Sequence, residues 1–286
     1  MTPGHLRVAA AQAASVPGDV TANVATAVAL TRDAADRGAR VVVLPELFLT
    51  GYDEAVWTPE HSLDLDPSTG SGHRDDALAP LGEVARERSV VLVASGAVRR
   101  VSTSPSARDR HTLSVVVAAP DGSVTAPYDK QHLSGSEGDF FAPGDHGATL
   151  VVDGWDLGLG ICYDGCFPEH AAAAAAGGAT AYLCPAAYFV GAEHRRDLYY
   201  AARALDNGIY TVLSSLTGRC GAWAFSGGSA IYDPEGRALD KVGAEDPAVV
   251  VADLDPAEVV RVQELNPVSR DRLDSLGIRQ RVILDA

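Results

Sequence analysis

The sequence is poor in several residue types that would each indicate a particular class of protein. It has 4 cysteines and 3 tryptophans in 286 residues, and aromatic residues make up 6% of the chain. The cysteines stand at positions 162, 166, 184 and 220, without a Cys-x-x-Cys pair and without regular spacing. This pattern does not indicate a disulfide framework, and we expect reduced thiols in a cytoplasmic protein.

Basic residues are also scarce. There are 23 Lys and Arg against 38 Asp and Glu, which gives a formal net charge of −15. A nucleic acid or an anionic membrane surface needs a concentrated basic surface, so we expect neither as a partner. No apolar run is long enough to span a membrane. The apolar stretch at residues 7–12 is typical of a first strand rather than of a signal peptide.

What the sequence does contain is alternating strand and helix patterns over a chain that is 47% hydrophobic, enough for a sizeable core. The unbroken apolar runs 41–44 and 90–98 indicate strands covered on both faces. Helical spacing of apolar residues predicts a helix from Asp19 to about Gly38 and another over 77–88. Strand, helix and strand in this order indicate an α/β sheet.

The second half repeats the alternation. Residues 168–176 and 193–207 have helical patterns, each followed by glycine, and 209–215 has a strand pattern. Turn residues at 120–122 and 153–154 predict two hairpins. Residues 54–75 are rich in Pro, Ser, Asp and Gly, so we expect a long loop that helps to shape a site.

Cys162 stands at the corner between an apolar strand and a helix that begins at Pro168. Such a corner lifts a nucleophile off the sheet and directs backbone N–H groups at an oxyanion. A thiol needs a base and a cation to act in this way. Glu46 and Lys130 supply them, since each directly follows a predicted strand.

These segments resemble the nitrilase superfamily of carbon–nitrogen hydrolases. The first family signature is matched by residues 44–52, the second by 128–133 and the third by 160–169, in the family's order. Glu137 resembles a second glutamate that many members place shortly after the lysine. The resemblance implies a four-layer αββα sandwich, with residues 1–286 as one domain. It also implies that a C-terminal tail, 256–286, pairs subunits into a homo-oligomer, a dimer or a higher even number.

The resemblance further implies a cysteine-dependent amidase that needs no cofactor. Cys162 attacks the carbonyl carbon, and Glu46 takes the thiol proton and gives it to the departing nitrogen. Lys130 and the N–H of Tyr163 stabilise the oxyanion. Glu137 orients Lys130 or the substrate nitrogen, a role for which Asp139 competes. Taken singly, these residues would be a structural thiol and solvated surface charges.

Substrate choice depends on the residues around this group. Small or aromatic side chains and a glycine are expected to line the pocket: Tyr52, Gly165, Cys166, Ala187, Tyr188 and Phe189. Members that act on N-carbamoyl amino acids commonly carry arginines just after the cysteine, where this chain has Gly165 and Cys166. Tyr163 followed by Asp164 is the pattern of the amide-cleaving branches. The sequence therefore predicts a small uncharged or weakly polar amide as substrate.

Several alternatives remain beside this prediction. The enzyme could instead be a nitrilase or an N-carbamoyl (ureido) amidohydrolase, and an inactive scaffold protein is the alternative outside enzymes. Cys162, Cys166 and His170 are spaced by fours like metal ligands, but Pro168 interrupts a continuous helix, and we expect no metal. His132 and His194 are expected near the pocket.

Overall fold

The computed structural model describes residues 3–65, 76–101, 109–273 and 275–284, with Asp76 described by its backbone alone. The strands, in chain order, are β1 (Leu6–Gln12), β2 (Val41–Val43), β3 (Leu63–Asp64), β4 (Val91–Arg100), β5 (Arg110–Ala118), β6 (Val124–Asp129), β7 (Thr149–Val152), β8 (Trp155–Leu159), β9 (Ala181–Ala186), β10 (Tyr210–Ser215), β11 (Thr217–Cys220), β12 (Trp223–Ser226), β13 (Ala230–Tyr232), β14 (Ala238–Lys241) and β15 (Ala248–Leu254). The helices are α1 (Val20–Asp36), α2 (Ala79–Arg88), α3 (Glu137–Phe140), α4 (Pro168–Ala176), α5 (Glu193–Asn207) and α6 (Pro256–Leu265).

Local signals set the ends of the helices. The Asp19 side chain accepts a hydrogen bond from Ala22 N at 3.0 Å and caps α1. Pro168 occupies the first position of α4, where its missing N–H is not needed. Gly208 ends α5 with a φ of +60°, a left-handed conformation that costs glycine little. The predicted bounds of α4 and α5 agree with the structure.

The first sheet has the strand order β15-β1-β2-β4-β5-β6, with β3 beside β4. Its central strands β1, β2 and β4 run parallel, whereas β15, β5 and β6 pair antiparallel to their neighbours. The predicted hairpin between β5 and β6 is confirmed. Of the predicted loop at 54–75, the described part contains two short 3-10 turns and β3, and residues 66–75 lie outside the described residues.

The second sheet has the order β14-β13-β10-β9-β8-β7. Strands β8, β9 and β10 run parallel, and the predicted hairpin pairs β7 with β8. A small ribbon of β11 and β12 stands apart from this sheet. Both sheets thus have a parallel centre, so the ends of central strands lie at common edges where polar groups can meet.

The two sheets pack face to face, with β1 against β10 and β2 against β9. Helices α1 and α2 cover the outer face of the first sheet, and α4 and α5 cover that of the second. One large apolar cluster draws on both sheets, from Val8 and Val42 to Leu183 and Val212, all of them buried. The prediction of a four-layer αββα sandwich is confirmed. No helix in the described ranges is both long and apolar enough to cross a membrane.

Candidate active site

Glu46 lies just beyond the end of β2, between the two sheets. Its backbone N–H donates to Ala186 O at the end of β9, at 3.3 Å, and so connects the sheets at this edge. The next residue, Leu47, has a φ of +49°, a left-handed conformation that turns the chain sharply after the carboxylate. Glu46 is completely buried, so its charge requires a partner inside the protein.

Lys130 supplies that partner. It directly follows β6, and its N–H donates to Leu113 O at 2.8 Å. Its Nζ donates to Glu46 Oε1 at 2.6 Å and to the two carboxylate oxygens of Glu137 at 2.9 and 2.7 Å. All three side chains are buried. An ammonium held between two carboxylates in this way forms an ion cluster with a net charge of −1 when all three are ionised.

Glu137 is held from two further sides. Its Oε1 accepts a hydrogen bond from the Tyr52 hydroxyl at 2.9 Å, and its Oε2 accepts one from Ser134 N at 2.8 Å. Asp139, on the same short helix α3, is exposed to solvent. Of the two acids that could contact Lys130, the structure therefore places Glu137 in the cluster and Asp139 outside it.

Cys162 begins a 3-10 turn, Cys162–Cys166, that joins β8 to α4. Its φ of +42° is unfavourable for any residue with a Cβ, and such strain is concentrated at functional sites. The carbonyl oxygen of Cys162 accepts a hydrogen bond from the buried Tyr200 hydroxyl at 3.1 Å, and its Sγ lies 3.6 Å from Ala187 O. Ala187, directly after β9, and Tyr200 of α5 thus hold the turn in this conformation.

The buried charges change the proton affinities of the cluster. Burial raises the pKa of Glu46 to about 7, although Lys130 opposes this shift. Burial alone would lower the pKa of Lys130, but Glu46 and Glu137 together raise it above its ordinary value. The close protein surroundings of the Cys162 sulfur, followed by the charge of Glu46, raise the pKa of the thiol. Near neutral pH the resting site therefore contains a neutral thiol, a charged lysine and a glutamate that can exchange a proton.

Glu46 has one oxygen available for that exchange. Oε1 is bonded to Lys130, whereas Oε2 is buried without a hydrogen-bond partner among the described residues. The Cys162 thiol and the Glu46 carboxylate are close enough for each to shift the pKa of the other. An orphaned acceptor next to a protonated thiol is the arrangement expected of a general base and its nucleophile.

A third buried carboxylate, Asp164, lies two residues after Cys162. Its Oδ2 accepts hydrogen bonds from the Tyr128 hydroxyl at 2.6 Å and from Ile161 N at 3.0 Å. Its Oδ1 accepts from the backbone N and the ring Nδ1 of His132 at 2.9 and 2.8 Å. Asp164 therefore connects the residues that flank Lys130 to the turn that carries Cys162.

His170 extends this network. Because Tyr128 donates its proton to Asp164, its oxygen accepts from His170 Nε2 at 2.9 Å, and His170 Nδ1 accepts from Tyr182 at 2.9 Å. Burial lowers the pKa of His170, which keeps the ring neutral in this arrangement. His132, Asp164 and His170 lie close enough together to suggest a metal site, but both ring nitrogens of His170 and both oxygens of Asp164 have hydrogen-bond partners. The spacing of Cys162, Cys166 and His170 does not produce a metal cluster, since His170 faces Tyr128 and Tyr182.

A cavity of about 180 Å³ opens onto Cys162 and Lys130. Six of the predicted pocket residues line it, namely Tyr52, Tyr163, Cys166, Ala187, Tyr188 and Phe189. Its wall also contains Ser134, Ala192, Arg195 and Tyr199, which the sequence analysis missed. Ala192 directly precedes α5, and Arg195 and Tyr199 follow it at intervals of three and four residues. This helical spacing was the signal that could have grouped the three on one face.

Two predicted neighbours of the pocket lie elsewhere. Gly165 is buried within the turn Cys162–Cys166, where a Cβ would come within 2.8 Å of Tyr200 Cε1. The glycine therefore allows close packing against Tyr200, and it is not part of the cavity wall. His194 is exposed on α5 and lies outside the cavity wall, whereas the next residue, Arg195, is also exposed but borders the cavity. Cys184 is buried below the site, with its Sγ 3.4 Å from the Tyr200 hydroxyl.

Comparison with known proteins agrees with this geometry. A family model described as carbon–nitrogen hydrolase matches residues 7–264. The omega-amidase NIT2 of Homo sapiens is 29% identical over 96% of this chain and 97% of its own length. A nitrilase of Pyrococcus abyssi is 32% identical over 90% of this chain and 93% of its own length.

Solved structures give the same result. A double mutant of the amidase from Nesterenkonia sp. AN1 in complex with acrylamide superimposes with a TM-score of 0.76 at 29% identity, covering 94% of each chain. A mutant of the same amidase, with the acetamide moiety of fluoroacetamide added covalently to its active-site cysteine, has a TM-score of 0.75 at 29% identity, covering 95% of each chain.

Proposed function

The chain belongs to the carbon–nitrogen hydrolase family, and from that premise we propose that Glu46, Lys130, Glu137 and Cys162 form its active site. The protein is a cysteine-dependent enzyme that hydrolyses a small amide to a carboxylic acid and ammonia. The observation that carries the assignment of residues is the contact of Lys130 Nζ with Glu46 and Glu137 in the wall of the cavity that Cys162 also lines.

In the first half of the reaction, Glu46 Oε2 takes the thiol proton while the sulfur bonds to the amide carbon. The resulting oxyanion is stabilised by the fixed positive charge of Lys130 and by the N–H of Tyr163. When this intermediate collapses, the C–N bond breaks and Glu46 gives its proton to the nitrogen. Ammonia leaves, and the acyl group stays on Cys162 as a thioester.

In the second half, Glu46 takes a proton from water, and the hydroxide bonds to the thioester carbon. The C–S bond breaks, the acid leaves, and the proton returns to the thiolate. Glu137 makes two of the hydrogen bonds of Lys130 and so keeps the ammonium in place through both halves. Every proton and bond in the two halves is accounted for by Glu46, Cys162, the amide and water, with Lys130 opposite the negative charge that develops on the substrate oxygen.

The test is ammonia release from a panel of small amides, with intact-protein mass spectrometry for the thioester. Cys162→Ala should lose both signals. The control Cys220→Ser should retain them, because the Cys220 Sγ accepts a hydrogen bond from Tyr52 N and has no role in the proposed reaction. Nitriles and N-carbamoyl amines offered in parallel decide between the related reactions. Undiminished turnover in Cys162→Ala would refute the mechanism, and no acylation of the wild type by any of these compounds would favour an inactive scaffold.

We also propose that the C-terminal tail pairs subunits. The described residues beyond α6, 266–273 and 275–284, form no helix or strand, yet they expose large apolar side chains at Leu273, Leu276, Ile278, Val282, Ile283 and Leu284. Exposed apolar residues in this density are typical of an interface. Sedimentation velocity should show an even-numbered oligomer for the full chain and a smaller species after truncation at residue 265.

The four thiols support a cytoplasmic location, because none of them is in a disulfide. Cys162 must stay reduced to act as a nucleophile, and an oxidising compartment would inactivate it. Activity that disappears under mild peroxide and returns with dithiothreitol would agree with a reducing environment. Recovery of the native protein in a secreted fraction would contradict it.

A further inference from the structure

Trp223 is an exposed tryptophan next to a residue of the active-site cavity. The other two tryptophans, Trp57 and Trp155, are buried, and their indole N–H groups donate to backbone carbonyls. Trp223 is 43% exposed, and its indole N–H has no hydrogen-bond partner among the described residues. Tryptophan is highly buried on average, so neither core packing nor a polar contact accounts for this ring.

Phe189 connects Trp223 to the cavity. The centroids of these two rings are 5.0 Å apart, and the Phe189 ring is itself exposed. Phe189 also lines the cavity, where it contacts Tyr52, another residue of the wall, edge to face at 5.9 Å. Phe189 thus borders both the cavity and the solvent, and Trp223 extends the apolar surface beyond the cavity wall. An apolar surface that continues out of a cavity is typical of a ligand-binding groove.

The ribbon of β11 and β12 holds Trp223 in place through its backbone. Val190 N donates to Ala224 O at 3.1 Å, which joins β12 to the segment after β9. At the turn between the two strands, Ala222 N donates to Asp53 Oδ2 at 3.1 Å. The ribbon is therefore fixed on both sides of Trp223. A ligand that packs on a ring held in this way has little ordering cost to overcome.

We propose that Phe189 and Trp223 bind the aromatic end of a substrate whose amide end lies at Cys162. This inference rests on the proposed function: because ammonia is the leaving group, only the acyl group can extend from Cys162 toward the two rings. The cavity of about 180 Å³ holds the volume of about six water molecules, enough for an amide and a short linker. A larger acyl group must continue across Phe189.

The chemistry of the two rings defines the substrate class. They are uncharged and lie at 45° to each other, so a phenyl group can pack against both in offset or edge-to-face contacts. Such contacts add to the gain from burying apolar area, which is all that an alkyl group receives. The substrate is therefore a primary amide of an aryl-substituted carboxylic acid, and it is uncharged, as the sequence analysis expects.

A comparison of 3-phenylpropanamide with propanamide tests this assignment, because the two amides differ by the phenyl group alone. In Cys162→Ala, which removes turnover, calorimetry should show that 3-phenylpropanamide binds about tenfold or more tightly than propanamide. Adding Trp223→Ala should lower this preference about threefold or more, since Phe189 still contacts the phenyl group. Trp223→Phe should keep most of it.

Fluorescence reports on the same contact. Binding of 3-phenylpropanamide to Cys162→Ala should change the tryptophan emission, and propanamide should change it less. Trp57 and Trp155 are buried, so Trp223→Phe should abolish the change although it still binds the compound. With Cys162 present, Trp223→Ala should raise KM for 3-phenylpropanamide more than it lowers kcat, because the ring contact is equal in the ground state and the transition state.

Leu239→Ala is the matched control. Leu239 lies on β14, is 47% exposed and is not part of the cavity wall. Its replacement also removes an exposed apolar side chain and should leave the preference for 3-phenylpropanamide intact. Equal affinity for the two amides, or a preference that survives Trp223→Ala, would overturn the assignment. An unchanged preference together with a smaller species of Trp223→Ala in sedimentation velocity would show instead that this ring contacts a second copy of the chain.

The two proposals can fail separately. If the wild type releases ammonia from both amides with the same kcat/KM, the hydrolase stands and the aryl site falls. If 3-phenylpropanamide binds against Trp223 but no amide acylates Cys162, the aryl site stands and the proposed chemistry falls.

Discussion

The hydroxyl of Tyr128 donates a hydrogen bond to Asp164 Oδ2 at 2.6 Å, and this bond joins the end of β6 to the turn that carries Cys162. Tyr128 precedes Lys130 by two residues, and Asp164 follows Cys162 by two residues. The distance between the cation and the thiol is therefore set through a buried carboxylate that does not itself line the cavity.

We predict that Asp164→Asn impairs both stability and turnover. The amide has one oxygen in place of two, so it cannot accept from all of the four donors that face Asp164. Leaving such donors unpaired should lower the free energy of unfolding by at least about 2 kcal/mol. The displaced turn should lower kcat about tenfold or more.

Thermal denaturation and initial rates measure these two effects. Asp145→Asn is the control, since Asp145 is exposed and bonds only its neighbour His146 within the described structure. A stable Asp164→Asn protein with normal kcat would mean that the carboxylate does not position the site.

Glu137→Gln is predicted to slow the reaction and to shift its pH dependence. The variant removes a charge that raises the pKa of both Lys130 and Glu46. Lys130 loses its second carboxylate, so kcat should fall about 10- to 100-fold. The pH range over which kcat/KM rises should move to lower pH, because the Glu46 carboxylate ionises more easily without the charge of Glu137.

Asp139→Asn tests whether that shift is specific. Asp139 lies two residues after Glu137 on α3 and is exposed. Its replacement should therefore change neither kcat nor the pH at which kcat/KM reaches half of its maximum. The roles of the two acids would be reversed if Asp139→Asn shifted the profile and Glu137→Gln did not.

The pKa of Glu46 predicts how activity depends on pH. Burial raises this pKa to about 7, and the base must be ionised to accept the thiol proton. The log of kcat/KM should therefore rise with pH, with a midpoint near 7, and fall at lower pH as Glu46 becomes protonated. A profile that stays flat from about pH 5 to 8 would exclude Glu46 as the base.

The same shift has a consequence for stability. In the unfolded chain Glu46 titrates near its ordinary value of 4.5, so the folded state binds this proton more tightly. Its contribution to stability is complete below about pH 4.5 and is lost as pH rises through 7, a change of about 3 kcal/mol. Glu46→Gln has no such titration. The difference between the unfolding free energies of the wild type and Glu46→Gln should therefore change by about 3 kcal/mol as the pH rises from about 4.5 through 7.

The sequence predicted the parts of this protein that local chemistry determines. Pro168 and Gly208 mark helix ends through their own backbone preferences, so the bounds of α4 and α5 were predicted correctly. Glu46, Lys130 and Cys162 each follow a predicted strand, but β8 belongs to a different sheet from β2 and β6, and β6 pairs antiparallel with β5. Their proximity could therefore be predicted only with the help of the resemblance.

The parts that the sequence did not predict depend on packing between distant elements. Nothing in the local sequence shows that Arg195 borders the cavity and that His194, exposed like Arg195, does not. Nor does it show that Asp164 is buried, because an aspartate is usually exposed. Its burial depends on four donors, three of which come from residues more than thirty positions away.

Gly165 gives a prediction from packing alone. A Cβ on residue 165 would lie 2.8 Å from Tyr200 Cε1 and 3.2 Å from the hydroxyl oxygen of that ring. Tyr200 is completely buried and bonds the carbonyl of Cys162. In Gly165→Ala, the Tyr200 ring or the turn must move to make room for the methyl group, and either movement displaces Cys162.

We expect Gly165→Ala to cost about 1–3 kcal/mol of stability, as overpacking in a closed core does, and to lower kcat at least about tenfold. Gly147→Ala is the matched control, because a Cβ there would meet nothing within 4 Å. Melting temperature and kcat should both stay normal in that protein. If Gly165→Ala matched it in both measurements, Tyr200 would have room to move without shifting Cys162. The hydrogen bond from Tyr200 would then not be what holds the turn.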